Sequence, residues 1–558
     1  MLLTVVVLLP LAAALLLAVP ALTGRAAVWG WIAASAADLA LVAWMWWRYD
    51  PGRGPAGVVG GIAYEVDVRW IPTVDAGYHI GVDGLSLPLL ALTGVLFLAC
   101  AIWSLREPDR PRTQAALFLF LQTACLGTFA ALDLILFFVF FDLTIVGMYF
   151  IIAGWGHGDA RRSALKFFLY TFLGSLALLV GFIGLFLGSE ERTFDMVALA
   201  ENPPLADSPL AGGLVLLAIG LGLAVKTPLV PFHTWLPDAH TDAPAAGSAI
   251  LAGILLKLGT YGFVRIAMPI LPDAWQRWAM VVVVVGVVSV LWGAFVALAQ
   301  TNVKRMIAYT SVNHMGYVLL GLGAAGLVGQ ADEQARTIAT VGAMYQMVGH
   351  GLLTGALFLL SGVLWSRGRN YEFDRWGGLA RPAPVFAALL AVAAFGSLGL
   401  PGFASFIAEF QIFTGALQAA PIATVLAVTG ILVTAGLFLV ALQRLLTGPT
   451  AVPSPGNGSS AGDDGAGDDG AGDDGAGDDG AGDDGAGDVA PSSQPTEDGS
   501  TATAVRPRTV TGMRDVHGSE LAAVVPLLSL AVLLGLFPRA LLDVLEPAAA
   551  AVAQLVAR

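Results

Sequence analysis

The 558 residues are 57% hydrophobic and only 12% charged, with a mean hydropathy of +0.76. A soluble domain carries about 25% charged residues, so this composition excludes a water-soluble globular fold or a nucleic-acid binder and points to a chain that lives in a bilayer. The net charge of −13 does not describe that membrane body: 13 acids and no Lys or Arg fall between positions 449 and 505, and without them 28 acids face 28 bases.

A helix needs about 20 apolar residues to cross the hydrocarbon core. Fourteen such segments are predicted, over 1–22, 27–47, 84–104, 113–131, 133–154, 164–188, 211–230, 243–268, 276–299, 304–326, 337–365, 384–417, 421–446 and 520–543. The expected fold is an all-α polytopic membrane protein. The first segment, MLLTVVVLLP, has no basic residue before it; it differs from a cleaved signal and is expected to remain as a helix. Residues 1–110 hold the first three segments. Segments 4–8, within 111–268, and segments 9–13, within 274–446, would form two five-helix halves. The stretch 449–518 is dominated by Gly, Asp, Ala, Ser and Pro with no apolar period. It cannot bury enough surface to offset its ordering entropy and is expected to be a disordered linker; its paired acids lack the spacing of an EF-hand calcium loop. Residues 519–558 would hold the last membrane helix.

Basic residues set orientation. With the N-terminus outside, loops after odd-numbered segments hold 17 Lys and Arg, and the opposite side holds 9. Both termini are therefore expected outside the cell membrane, with the acidic linker in the cytoplasm.

Cys100 and Cys125 both sit in apolar segments and show no CxxC spacing, so they cannot hold an iron–sulfur cluster. There is no Walker loop and no dinucleotide fingerprint in its required place, opening a helix after a strand. Any redox cofactor is expected on another chain.

The chain has four lysines, and two of them interrupt hydrocarbon: Lys226 in GLAVKTPLVP and Lys257 in GILLKLGTYG. Asp142, His314, His350 and Glu409 are similarly placed, in FFVFFDLTIVGMYF, AYTSVNHMGYVLL, YQMVGHGLLTG and LPGFASFIAEFQIF. An ionisable group at such depth costs several kcal/mol and is usually kept for ion or proton movement. Asp38, Asp133 and His157 lie near segment ends, where a solvated position is the expectation. Two of the segments also carry helix breakers. Lys226 is followed by Pro228 and Pro231, and Glu409 is preceded by Gly399, Pro401 and Gly402. Proline removes a backbone donor and clashes one turn back. Irregular backbone at membrane depth survives only when buried in protein or lining a wet cavity, and a break in the fourth segment of each half suggests inverted repeats around a midplane site. Moving Asp142 toward or away from Lys226 would switch that lysine between holding and releasing a proton. The histidines could relay it, Glu409 could accept it, and water would bridge gaps wider than a hydrogen bond.

FFDLTIVGMYFIIAGWGH (140–157), VKTPLVPFHTWLPDAHTDAPAAGSAILAGILLKLGTYG (225–262), NVKRMIAYTSVNHMGYV (302–318), LPGFASFIAEF (400–410) and GVDGLSLPL (81–89) together resemble the antiporter-like subunits of respiratory complex I. The glutamate at 409, where the L and N types generally carry lysine, makes the M type the nearest resemblance. The family's acid on the fifth helix is usually Glu; here it is Asp142, one methylene shorter. The resemblance implies a proton-translocating subunit of a bacterial NADH–quinone oxidoreductase, in the inner membrane beside L- and N-type subunits. FMN, iron–sulfur clusters and quinone would be on partner subunits, with no cofactor or metal on this chain. It further implies that Lys226 pairs with Asp142, that Lys257 is the central relay, that His314 and His350 extend the polar axis, and that Glu409 carries the proton at the exit side. His233, Asp238 and His240 would line the route or cap the broken helix. A subunit of a multisubunit Na⁺/H⁺ antiporter, or of a membrane-bound hydrogenase, is the alternative.

Overall fold

The computed structural model describes residues 1–19, 24–50, 61–106, 109–327, 333–453 and 513–557. Helices α1 (Leu2–Leu17) and α2 (Gly24–Arg48) precede a two-stranded antiparallel sheet, β1 (Ala63–Ile71) and β2 (Ala76–Val82). Then come α3 (Ser86–Trp103), α4 (Pro111–Ala130), α5 (Leu134–Trp155), α6 (Ala160–Gly188), the short α7 (Met196–Glu201), α8 (Pro209–Lys226) and the short α9 (Leu236–Asp242). The long α10 spans Ala245–Ile270. It is followed by α11 (Pro272–Leu298), α12 (Val303–Gly326), α13 (Glu333–Gly368), α14 (Pro384–Ser397), α15 (Ala404–Ala419), α16 (Pro421–Leu446), α17 (Ser519–Leu536) and α18 (Arg539–Ala557).

The chain is a mostly helical, multi-pass membrane protein. Among the described residues, 12 helices are long and apolar enough to cross a bilayer. The apolar windows of α10 and α13 are wholly buried, whereas those of α2, α16 and α17 are only a third buried. α10 and α13 thus form the centre of the bundle, and the others spend most of their apolar surface on lipid or a neighbour. α12 is not among the 12, because Lys304, Arg305, Asn313 and His314 make it too polar for lipid; almost all of it is buried in protein instead. Its backbone meets that of α11 directly. A Cβ on Gly316 would lie 2.7 Å from the Gly286 carbonyl oxygen, and one on Gly286 would lie 2.8 Å from the Leu320 nitrogen. Close approach through small residues replaces the hydrophobic drive that lipid cannot supply.

Two predicted segments are broken where the prolines and glycines fall. The seventh, predicted over 211–230, stops at Lys226 with α9 beyond the break at 227–235, and the twelfth is split into α14 and α15 around 398–403. Three features were not foreseen. The hairpin β1–β2 pairs Val66 with Ile80 and Val68 with Tyr78; its alternating YEVDVRW pattern is the period-2 signature of a strand. The predicted 520–543 segment stops at Leu536, because Pro538 cannot continue it. α18 then runs as an amphipathic helix, burying Leu541, Val544, Leu545, Ala548 and Val552 and bonding through the Val556 and Ala553 carbonyls to Gln276 and Arg336. The predicted disordered stretch 449–518 is ordered at both ends. Ala451 bridges to Gly377, and the Asp515 carboxylate accepts from the Val385 and Phe386 amides. Residues 454–512, with the acidic repeat, lie outside the described residues.

Candidate functional site

Lys257 lies at the middle of α10, fully buried, between two stretches of π-helix, Leu251–Leu255 and Phe263–Ala267. The Lys257 ammonium donates back to the Ala252 carbonyl of the wide turn (2.5 Å). Such π-turns often mark functional positions. The same ammonium is 2.6 Å from Nδ1 of His350 on α13. The His350 ring meets the His314 ring edge-to-face at 5.2 Å between centroids. His314 Nε2 donates to the carbonyl of Ser397, the last residue of α14, at 3.0 Å. Two residues on, Gly399 lies against Glu409: a Cβ at Gly399 would be 2.2 Å from Glu409 Oε2. The break therefore brings the His314 and Glu409 ends together, and Gly399, at φ +78°, is needed for both backbone conformation and space. Three of the six intramembrane residues thus form a buried row in direct contact, and the fourth, Glu409, lies beside the break where that row ends.

Lys226 and Asp142 form the other end, without touching. Lys226 is the last residue of α8, at the negative end of a half-helix, where a cation is favoured. Its ammonium donates to Thr144 Oγ1 at 2.9 Å and sits 4.7 Å above the Phe141 ring. Asp142 acts on it electrostatically and has Ser175 as its hydrogen-bonding neighbour, but no ion pair joins the two. The shorter Asp side chain stops short of the lysine.

The three residues between the breaks part company. His240 is fully buried and stacks on Phe358 at 4.4 Å; both Lys257 and Lys304 act on it electrostatically. His233 accepts from the Trp292 indole at 3.1 Å, on the α11 side and away from that row. Asp238 is partly exposed and ion-paired to Lys166 (2.6 Å) and Arg305 (3.4 Å), a surface clamp that holds α6, α9 and α12 together. Pro228 and Pro231 sit in the first break and Pro401 in the second. The first break is sealed by the Trp235 indole, which donates to the Val225 carbonyl, and by Ser289, whose Oγ accepts from the Val230 amide.

Buried polar atoms without a protein partner include both ring nitrogens of His240, Nε2 of His350, Nδ1 of His314 and the hydroxyl of Ser397. Buried polar groups are rarely left unsatisfied, and internal water is their usual partner. A row of them through a bundle core is suited to passing protons by way of water.

Of the three residues expected in solvent, Asp38 and Asp133 are buried and His157 is half-buried. Asp38 is fully buried in α2 and accepts from Gln122, which in turn accepts from Ser35. Asp133 caps α5 through the Ile135 and Leu136 amides and ties down Gly77 of β2. His157 stacks on Trp365 at 3.9 Å and hydrogen-bonds Tyr371; burial first, then the charges of Lys304 and Arg369, push it down to about 3, so the ring is neutral. Sequence reasoning also passed over Lys304, the first residue of the predicted segment 304–326, which is completely buried. Asn302, which caps α12, was the signal that the helix begins before the lysine. A buried ion pair, Arg265 with Asp83 at 2.7 Å, pins α10 to the start of α3 and gives the GVDGLSLPL stretch a structural role.

Residues 131–434 match the family profile described as NADH:quinone oxidoreductase/Mrp antiporter, TM. The chain belongs to this family. It is 39% identical over 392 residues to the NADH-quinone oxidoreductase subunit M of Rickettsia conorii, which covers 69% of this chain and 76% of the relative. To the F(420)H(2) dehydrogenase subunit M of Methanosarcina mazei it is also 39% identical, over 69% of this chain and 77% of that one. In structure it is similar to a chain of respiratory complex I from Thermus thermophilus (TM-score 0.79, 26% identity, all of both chains). It shares the fold of a chain of the Mrp complex from a Dietzia species (TM-score 0.78, 22% identity, 99% of this chain and 97% of that one).

Proposed function

We propose that this chain is the M-type, proton-translocating membrane subunit of a respiratory NADH:quinone oxidoreductase. Its substrate is the proton. The observation that carries the reading is the buried row from Lys257 through His350 and His314 to the break beside Glu409. The ammonium–imidazole contact at 2.6 Å lets one proton pass from Lys257 Nζ to His350 Nδ1 without a bridging molecule. Unpartnered ring nitrogens beyond it accept the next step by way of water. Lys226, held by Thr144 rather than by Asp142, is the second proton-holding lysine, and a shift of α5 would bring its carboxylate into play. The two halves, 111–268 and 274–446, each contribute one broken helix to this path. NADH oxidation and quinone reduction, with FMN and iron–sulfur clusters, belong to partner subunits, and L- and N-type subunits flank this one in the bacterial cell membrane. The equal identity to an F(420)H(2) dehydrogenase subunit fits a proton module that serves different electron-input modules. The identity near 39% to M subunits of quinone-linked dehydrogenases favours this over an Mrp-type antiporter, for which the likeness is one of fold.

The test uses inverted membrane vesicles holding the assembled complex. Lys257→Ala and Glu409→Gln are expected to keep electron transfer from NADH to an artificial acceptor but to cut quinone-linked proton uptake by about 100-fold, the weight of a lost proton-transfer group. Wild-type proton uptake in both variants would leave a passive scaffold as the better description.

A further inference from the structure

A polar cavity of about 660 Å³ opens where the ends of α3, α5 and α13 meet the start of α10; Arg106, Gln114, His157, Ala246, Ser366 and Tyr371 are among its lining. We propose that this cavity is a mouth of the buried path and that Lys304 is the group that passes protons between it and His240. This deepens the proton-translocation reading and rests on it.

Lys304 lies immediately behind the cavity wall. Its ammonium is 5.2 Å above the ring of Tyr371, whose hydroxyl bonds the cavity-lining His157 at 3.3 Å. On its inner side the ammonium donates to the Ala243 carbonyl at 2.5 Å and lies 3.4 Å from that of Thr241, flanking the α9–α10 junction that bears His240. The next charge acting on His240 is Lys257. The order cavity, Lys304, His240, Lys257 thus connects solvent to the centre of the bundle, and His240, with neither ring nitrogen bonded to protein, is the one member that needs water on both sides. The cavity also lies at the end of the bundle where the basic residues gather, Arg106 and Arg110 before α4, Arg112 at its start and Arg161 and Arg162 in α6, which makes it cytoplasmic.

A lysine that only caps the last carbonyls of α9 would look similar, and one substitution separates the two roles. Lys304→Arg keeps a cation that donates to both carbonyls but does not give up its proton. In inverted vesicles, Lys304→Arg is expected to assemble, to retain NADH oxidation by an artificial acceptor and to lose about tenfold or more of its proton uptake. Proton uptake at the parent rate in Lys304→Arg would reduce Lys304 to a clamp. If Lys257→Ala were silent as well, the wider reading would fall with it; a silent Lys304→Arg beside a disabled Lys257→Ala overturns this inference alone. A second readout does not depend on that variant folding. The two native cysteines are buried, so Ser366→Cys offers an accessible thiol. A membrane-impermeant cationic thiol reagent is expected to label it in inverted but not in right-side-out vesicles and to slow proton uptake relative to the same vesicles before labelling. Labelling only from the opposite face, or labelling without effect, would overturn the cavity as a mouth.

Discussion

The two helix breaks solve the same problem with opposite means. At 227–235 the chain seals itself: the Trp235 indole takes the Val225 carbonyl, the Ser289 hydroxyl takes the Val230 amide, and Lys226 ends the half-helix with its charge where the dipole favours it. At 398–403 the chain stays open. Two glycines at φ +78° and +101° flank Leu400 and Pro401, and the Glu409 carboxylate occupies the space that a side chain at Gly399 would fill. The first break is held by two side chains, Trp235 of its own loop and Ser289 from α11, the second by the lack of one. Substitutions should therefore weaken the first break gradually and disable the second at once.

The largest expected effect is Gly399→Ala. The left-handed backbone adds about 1–3 kcal/mol of strain, and the new methyl displaces Glu409. Proton uptake in vesicles should fall about as far as in Glu409→Gln. Gly220, on α8, has nothing within 4 Å of its Cβ position, so Gly220→Ala should leave uptake unchanged. Equal losses from both alanines would erase the contrast. Next comes Trp235→Phe at the sealed break. It leaves the Val225 carbonyl unpaired at a cost of about 1–3 kcal/mol, lowering the melting temperature of the solubilised complex while leaving most proton uptake. The smallest effect lies outside the membrane, where neither break reaches. Burial disfavours the charge on His79, but Asp195 at 2.5 Å and Glu65 at 2.8 Å outweigh it and lift it to about 9. A raised value stabilises the folded form fully below the ordinary imidazole value near 6.5, and that contribution disappears as pH rises through about 9. His79→Gln should cost stability at pH 6 and nothing at pH 10, as read by protease resistance of the hairpin. A pH-independent difference would remove the charge from the account.

The titratable residues of the path were legible because each interrupts an apolar run, and the breaks because proline and glycine sit beside two of them. Contacts were not legible. Nothing along the chain shows that Lys257 meets His350, 93 residues away, or that Thr144 rather than Asp142 takes the Lys226 ammonium. Lys304 was hidden by its position at a helix start, where a loop cation and a buried one look alike until the packing of α9 against α12 is known. Asp38 was misplaced for the same reason, since its burial comes from Gln122 on α4. α18 escaped because the predicted 520–543 segment ran across Pro538 into it and absorbed its start, although its one-sided spacing of Leu541, Val544, Leu545 and Ala548 was there to be read.

Pro453 packs against Gly368, and the neighbouring Arg367 donates to the Arg514 and Asp515 carbonyls. The chain thus leaves the body and returns to it at a single joint. That joint, at the end of α13 and away from His350 at its middle, is a natural place to graft an affinity handle.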